Sequence, residues 1–445
     1  MKTRTFLLAL LLLMANSVYS QRYPRKKIQK DLQILSGFDQ AHVGFQLYDP
    51  EKKKFIASHL EDKYMTPASN TKLFTFYTGL QILGDAVPAM YYTISGDSLI
   101  FWGSGNPLFL HPEIGDTTVL EFLKERKEQL FYWARPAHEE RFGPGWGWDD
   151  YEGYYSAEKS TFPIYGNSTW TYVNREKSSL EVFPKRLKND FSQSNDTTTN
   201  SLNSIKRAEF FNEYNYQIGL PDASLSDTII IDEHARPFIY SDDLFRKLLT
   251  DTLKKAVREY GGLPDLDAYK TLFGPPIDTL YKHMLQPSDN LFAEQILMMA
   301  SDQLSDTLNT SNAIEYMLEN DFANWQDELV WVDGSGLSRY NMFTPRTIIQ
   351  LLDVLREEVG EERLFALLPA GGKSGTIKEW YDGEDEPYVF AKTGTVRNNH
   401  CLSGFIRTKN GKTLIFTFMV NHYTSSTNEV KKSMQQMLEK IRNAY

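Results

Sequence analysis

The sequence predicts a mixed fold of the α/β (α+β) class, on three observations. Residues 42–57 alternate, with Val43, Phe45 and Leu47 on one face, a turn at Asp49-Pro50, and then Phe55-Ile56-Ala57, which reads as a hairpin. Residues 387–396, 402–408 and 413–421 read as three further strands, and residues 427–442 place Val430, Met434, Met437, Leu438 and Ile441 at helical spacing. Between these ends, residues 93–265 are rich in Tyr, Trp, Asp and Asn and poor in helical periodicity, so a mostly β region interrupts the mixed one.

Taken in order, residues 1–20 carry Lys2 and Arg4, an apolar run from Phe6 to Met14, and Val18-Tyr19-Ser20. This is the pattern of a secretory signal cut before Gln21. The run is too short to span a membrane, and no later segment approaches that length. No cysteine stands at the cut to take a lipid, so the expected product is exported, periplasmic or secreted. Losing residues 1–20 moves the formal charge from -10 to -12. Such an acidic chain is a poor nucleic-acid binder. The basic residues Arg22, Arg25, Lys26, Lys27 and Lys30 read as a solvated arm.

The single cysteine, Cys401, excludes an internal disulfide and lies in an apolar stretch as a core residue. With 445 residues the chain can bury more than one core. The eight histidines are scattered without zinc spacing, so neither a metal site nor a cofactor is expected.

After the first hairpin, Pro67-Ala68-Ser69-Asn70-Thr71-Lys72 opens an apolar stretch, Leu73, Phe74, Phe76, Tyr77, Leu80, Ile82 and Leu83, which reads as a buried helix capped by Gly84. In the middle, Gly103-Ser104-Gly105-Asn106-Pro107 and Gly143-Pro144-Gly145 are loop-like, and residues 189–203 read as an exposed polar loop. Helices are expected over 243–260, 291–301, 311–320 and 345–359. Lys409-Asn410-Gly411-Lys412 reads as a two-residue hairpin turn. The expected organisation is a signal peptide at 1–20, a catalytic domain formed by 21–92 and 266–445, and an insert at 93–265, with two nested domains possible.

Ser69 and Lys72 lie three residues apart, on one face of a helix. A deprotonated amine there can take the serine proton and create a nucleophile. Free N–H groups at the helix start can hold an oxyanion. Ser156 and Lys159 share the spacing but are not followed by a helical pattern.

Two more segments supply what acyl transfer needs. Ser288 and Asn290 precede an apolar helix: the hydroxyl can pass a proton, the amide can hold a carbonyl or the lysine, and Ser288 also reads as the helix cap. Lys392-Thr393-Gly394-Thr395 lies in a strand, where Lys392, Thr393 and Thr395 can clamp a carboxylate. Gly394 admits close approach to the backbone, and the Thr395 N–H can be the second oxyanion donor. Lys373-Ser374-Gly375-Thr376 repeats that motif in a loop context.

The order Ser-x-x-Lys, Ser-x-Asn, Lys-Thr-Gly marks penicillin-binding proteins and class A β-lactamases. The chain resembles the low-molecular-mass class C penicillin-binding proteins, the D-alanyl-D-alanine carboxypeptidase/endopeptidases. The resemblance rests on residues 67–74, Asp333-Gly334-Ser335-Gly336-Leu337-Ser338-Arg339 with Asn341, Leu368-Pro369 and residues 391–395, and on the 219 positions separating Ser69 from Ser288.

The resemblance implies a transpeptidase-like domain with a five-stranded antiparallel sheet between helices. It implies peptidoglycan stem peptides ending in D-Ala-D-Ala as substrate and β-lactams as covalent inhibitors. The roles it assigns are Ser69 as nucleophile, Lys72 as base, Ser288 and Asn290 as relay and clamp, and Lys392, Thr393 and Thr395 as holders of the terminal carboxylate. It also matches Asp150, in Trp146-Gly147-Trp148-Asp149-Asp150, to an acidic residue that reads the free amine of the stem-peptide side chain. Two other readings stay open: a serine β-lactamase, and an inactive wall-binding protein of the same fold.

Overall fold

The computed structural model describes residues 23–174, 179–194, 204–218 and 231–445. The expected signal peptide lies outside them. Among the described residues, no helix is long and apolar enough to cross a membrane. The chain divides into two compact units, one formed by residues up to Asn70 with Met342–Tyr445, the other by Thr71–Asn341.

In the first unit, five antiparallel strands run in the order Val389–Val396, Asn399–Arg407, Thr413–Asn421, His42–Asp49, Lys54–His59. The middle strand, Thr-Leu-Ile-Phe-Thr-Phe-Met-Val-Asn, is buried from Leu414 onward, as expected of a strand covered on both faces. Its Leu414, Phe416, Phe418 and Val420 share a core with Val430, Met434, Met437, Leu438 and Ile441 of the closing helix Thr427–Ala444. The helix Pro345–Val359 also packs on this sheet.

Three expectations change in this unit. The basic N-terminal stretch is not an arm. It forms the helix Arg25–Ile34, docked by Ile28 and Leu32 with Lys26, Lys27 and Lys30 in solvent. The last hairpin is not closed by a two-residue turn, because the Thr408 N–H bonds the Lys412 carbonyl at 2.8 Å around three residues. Gly411 takes the left-handed φ of +79° that this loop requires. The strand expected to begin at 402 begins at Asn399, so Cys401 lies inside it, fully buried, with its thiol on the Thr66 carbonyl at 3.4 Å.

The second unit holds the expected insert, residues 93–265, within a wider structure. Its largest sheet runs Val257–Glu259, Gln129–Tyr132, Ser98–Trp102, Ala86–Ser95, Lys270–Pro276, and so begins before residue 93 and ends after 265. Two three-stranded sheets accompany it. The helix expected over 243–260 is shorter, Asp242–Leu253, because Lys254 turns left-handed at φ 55° and the chain re-emerges as the strand Val257–Glu259. Part of the loop expected at 189–203 is the short strand Phe191–Gln193, and residues 195–203 lie outside the described residues.

The hub of this unit is the helix Asn290–Ser305, buried continuously from Asn290 to Asp302 and packed against Lys72–Ile82 and Thr310–Glu319.

Candidate active site

The expected helix at Ser69 starts later than the sequence indicates. Ala68–Thr71 is a tight 3-10 turn, and the α-helix begins at Lys72 and runs to Ile82. Gly84 does not cap it, since the chain leaves through Leu83 in an extended conformation. Ala68 is buried and left-handed, at φ 48°. That backbone costs a non-glycine residue about 1–3 kcal/mol, and it sets Ser69 partly in solvent between buried neighbours.

Within the first unit, the Ser69 turn is stapled to the edge strand. The Asn70 amide donates to the Lys392 carbonyl at 2.8 Å, and its oxygen accepts from Ser403 at 2.7 Å. A Cβ on Gly394 would lie 2.6 Å from the Pro67 carbonyl and 2.8 Å from the Ser69 nitrogen. What approaches Gly394 in the structure is therefore the protein's own serine turn.

The expected clamp is also rearranged. Alternation along a strand puts Lys392 on the Gly394 face and Thr393 with Thr395 on the other. There Thr393 meets Thr376 at 2.7 Å and Thr395 meets the ring of His400 at 2.7 Å. Burial, with Lys431 and Lys392 nearby, lowers the His400 pKa to about 3, so this ring is neutral. The repeated motif at 373–376 thus packs beside the first through Thr376. Leu368-Pro369 lies along the same strand, with Pro369 accepting from the Ala391 N–H at 3.0 Å.

Within the second unit, the Lys72 ammonium is fully buried. It donates to Asn290 Oδ1 at 2.6 Å and to the Ser335 carbonyl at 2.7 Å. Burial lowers its pKa to about 8, against the opposing pull of Asp333, Asp289 and Glu294. Relative to an ordinary lysine, a shift of that size makes the neutral amine about 300 times more abundant near neutrality.

Ser288 does not cap the following helix. Asp289 does, accepting from the Phe292 N–H at 3.0 Å, while Ser288 is held at φ 68°. The Asn290 amide donates to the Tyr155 carbonyl at 2.8 Å, and the Tyr155 hydroxyl donates to Asp150 at 2.7 Å. Asp150 is thereby linked, through Tyr155, to the residue that holds Lys72.

The alternative pair, Ser156 and Lys159, is buried, with the Lys159 amine paired to Glu139 at 2.7 Å.

The frame beneath Lys72 is built from residues 333–341, which entered above only through the resemblance, and from Glu294, which had no assigned role. Asp333, buried, accepts from the Gly336 and Ser338 N–H groups at 2.8 and 2.7 Å. It also accepts from Asn341, Ser335 and the Trp146 indole at 2.6, 3.1 and 2.9 Å. Glu294, also buried, accepts from the Gly334 and Ser335 N–H groups at 3.1 and 2.8 Å. Burial, reinforced by Asp333, raises the Glu294 pKa to about 7. These carboxylates fix residues 334–338 and with them the carbonyl that accepts from Lys72. Glu294 and Gln295 interrupt an otherwise apolar helix, which was the available signal.

A second cluster lies nearby in the same unit. His111, His283 and Asp289 bring ligand-type atoms within 4.8 Å of one another, although their positions in the sequence show no metal spacing.

Among proteins of known identity, the D-alanyl-D-alanine carboxypeptidase DacB of Haemophilus influenzae is 28% identical over 182 residues, covering 38% of this chain and 37% of that protein. The penicillin-sensitive carboxypeptidase A of Dictyostelium discoideum is 29% identical over 142 residues, covering 30% and 27%. The matched region is thus about a third of these relatives' length. The crystal structure of penicillin binding protein 4 (dacB) from Haemophilus influenzae superposes with a TM-score of 0.70 at 18% identity, covering 94% of this chain and 98% of that one. Another structure of that protein, complexed with a β-lactam, gives 0.66 at 18% identity and the same coverage. The shared architecture is therefore that of a penicillin-binding protein, and because the family profile of the D-Ala-D-Ala carboxypeptidase 3 (S13) peptidases matches residues 25–441, the chain belongs to that family.

Proposed function

We propose that this chain is an exported serine peptidase, periplasmic or secreted, that cleaves D-Ala-D-Ala stem peptides of peptidoglycan as a carboxypeptidase, an endopeptidase or both. One observation carries the reading: a fully buried lysine, its pKa lowered to about 8, aimed by Asn290 and the Ser335 carbonyl, one turn along the chain from Ser69. A binding protein gains nothing from holding an amine in that state, whereas a general base depends on it. Family membership supports the substrate class.

In this mechanism neutral Lys72 takes the Ser69 proton, and Oγ attacks the carbonyl of the penultimate D-Ala. The oxyanion rests on the Ser69 and Thr395 N–H groups. The C–N bond breaks, and the departing D-Ala amine takes its proton through Ser288. Water then cleaves the ester and regenerates Ser69. Thr393 and Thr395, which share one face of their strand, receive the terminal carboxylate, with the Lys392 charge behind them, and Asp150 receives the side-chain amine of the stem peptide. β-Lactams enter by the same attack but leave slowly. The reaction needs no cofactor.

Digestion of purified peptidoglycan with product mass analysis tests this reading. Free D-Ala identifies a carboxypeptidase, and dissolved cross-links identify an endopeptidase. Release of neither product would sink the proposal. Turnover of a penicillin adduct within a fraction of a second would point to a β-lactamase instead.

A further inference from the structure

His111, His283 and Asp289 come from segments with no local relation, since 172 positions separate the two histidines. His111 lies in the loop between the strand Ser98–Trp102 and the helix Thr118–Glu125, His283 lies on the helix Asp278–Leu285, and Asp289 caps Asn290–Ser305. The histidine rings stand 4.7 Å apart and edge on, and Phe292 touches both, at 5.4 and 4.3 Å. Trp170 closes the His111 side at 5.6 Å. Gly166 leaves room there, for a Cβ at that position would meet the His111 ring at 2.9 Å.

The polar atoms inside this aromatic wall are poorly served. His111 is 3% exposed and its Nδ1 has no hydrogen-bond partner. His283 Nε2 is also buried and lacks a short hydrogen bond: it faces Asp289 Oδ2 at 3.6 Å and Glu113 Oε2 at 3.5 Å, the distances of a loose ion pair. A buried ring nitrogen between two carboxylates ordinarily closes to one of them, because otherwise its desolvation is left uncompensated. The observed spacing has another explanation. Ligands about 2.0–2.2 Å from a tetrahedral zinc ion lie about 3.3–3.5 Å from one another. Asp289 Oδ1 is occupied by the helix cap, which leaves Oδ2 for such an ion.

We propose that His111, His283 and Asp289 form a binding site for one Zn²⁺ ion, with the fourth position left to water. Two imidazoles and one carboxylate suit zinc better than the hard cations calcium and magnesium, which prefer all-oxygen shells. The ion would lock the His111 turn and the helix Asp278–Leu285 onto the start of the helix that carries Asn290.

The full chain, stripped with a chelator and titrated with zinc chloride by calorimetry, tests the proposal, with bound metal counted by mass spectrometry after gel filtration. The expected result is one zinc per chain and a higher unfolding temperature with zinc. His111→Gln and His283→Gln should each weaken binding at least about tenfold and abolish the thermal shift. Circular dichroism of the metal-free variants checks that they fold. No stoichiometric zinc, or zinc binding unchanged in both variants, would overturn the proposal. Should either variant fail to fold, cobalt in the wild-type chain decides: intense visible bands of a four-coordinate ion support the site, and the weak spectrum of a six-coordinate ion refutes it.

Discussion

Lys72 Nζ donates to Asn290 Oδ1 at 2.6 Å, and the amide nitrogen of the same Asn290 is anchored to the Tyr155 carbonyl at 2.8 Å. The side chain of Asn290 therefore has one orientation, oxygen toward the lysine. Asn290→Ala should lower the rate of penicillin acylation about a hundredfold by freeing the amine. Asn290→Asp should also slow acylation at neutral pH, because a carboxylate beside the amine favours its charged form and raises its pKa. Stopped-flow acylation against pH separates the two: the Asp variant regains rate at high pH, and the Ala variant does not.

The pH profile of the wild-type chain carries a sign. In the proposed mechanism the working form of Lys72 is neutral, and burial lowers its pKa to about 8. Acylation should therefore climb as pH rises from 6 and level off above about 8, with about a tenth of the maximal rate near pH 7. Glu294 is among the carboxylates that hold this pKa up. Glu294→Gln should move the rising limb to lower pH. A limb that stays in place, or moves upward, contradicts the electrostatic assignment.

Gly394 faces the Ser69 turn with no room for a methyl group, the nearest contact being the Pro67 carbonyl at 2.6 Å. Backbone cannot step aside as a flexible side chain can. Gly394→Ala should displace the turn and cut acylation about a hundredfold, with the unfolding midpoint lowered less severely than by a core truncation. Acylation kinetics and denaturant unfolding on the same preparation measure both.

Asp333 accepts from five donors while buried. Asn has the same shape but turns one acceptor into a donor that faces other donors. Asp333→Asn should cost about 2–4 kcal/mol of stability in urea unfolding. It should also lower the Lys72 pKa, since Asp333 is the strongest of the charges raising it.

What could be read in the sequence was what local periodicity encodes. Ser69 and Lys72 are close in the chain, and the apolar residues after them declare the helix. The strand around Lys392 shows itself by its apolar run, and so do the next two strands of the sheet, Asn399–Arg407 and Thr413–Asn421. The frame beneath the site was not legible in that way. Asp333, Glu294 and Asn70 act through buried hydrogen bonds to backbone from distant segments, and such bonds leave no period. The left-handed backbone of Ala68 and Ser288 is similarly silent, because neither is a glycine. Motif order suggests a chemistry but not the faces, which is why the sequence groups Lys392 with the two threonines while the structure puts them on opposite sides of one strand.

The most direct test is to locate the acyl group. The chain is incubated with benzylpenicillin, quenched, digested and mapped by mass spectrometry. One penicilloyl group per chain on Ser69, absent from Ser69→Ala together with D-Ala release from a stem pentapeptide, is the predicted result. An adduct on another residue, or D-Ala release that persists in Ser69→Ala, would contradict it.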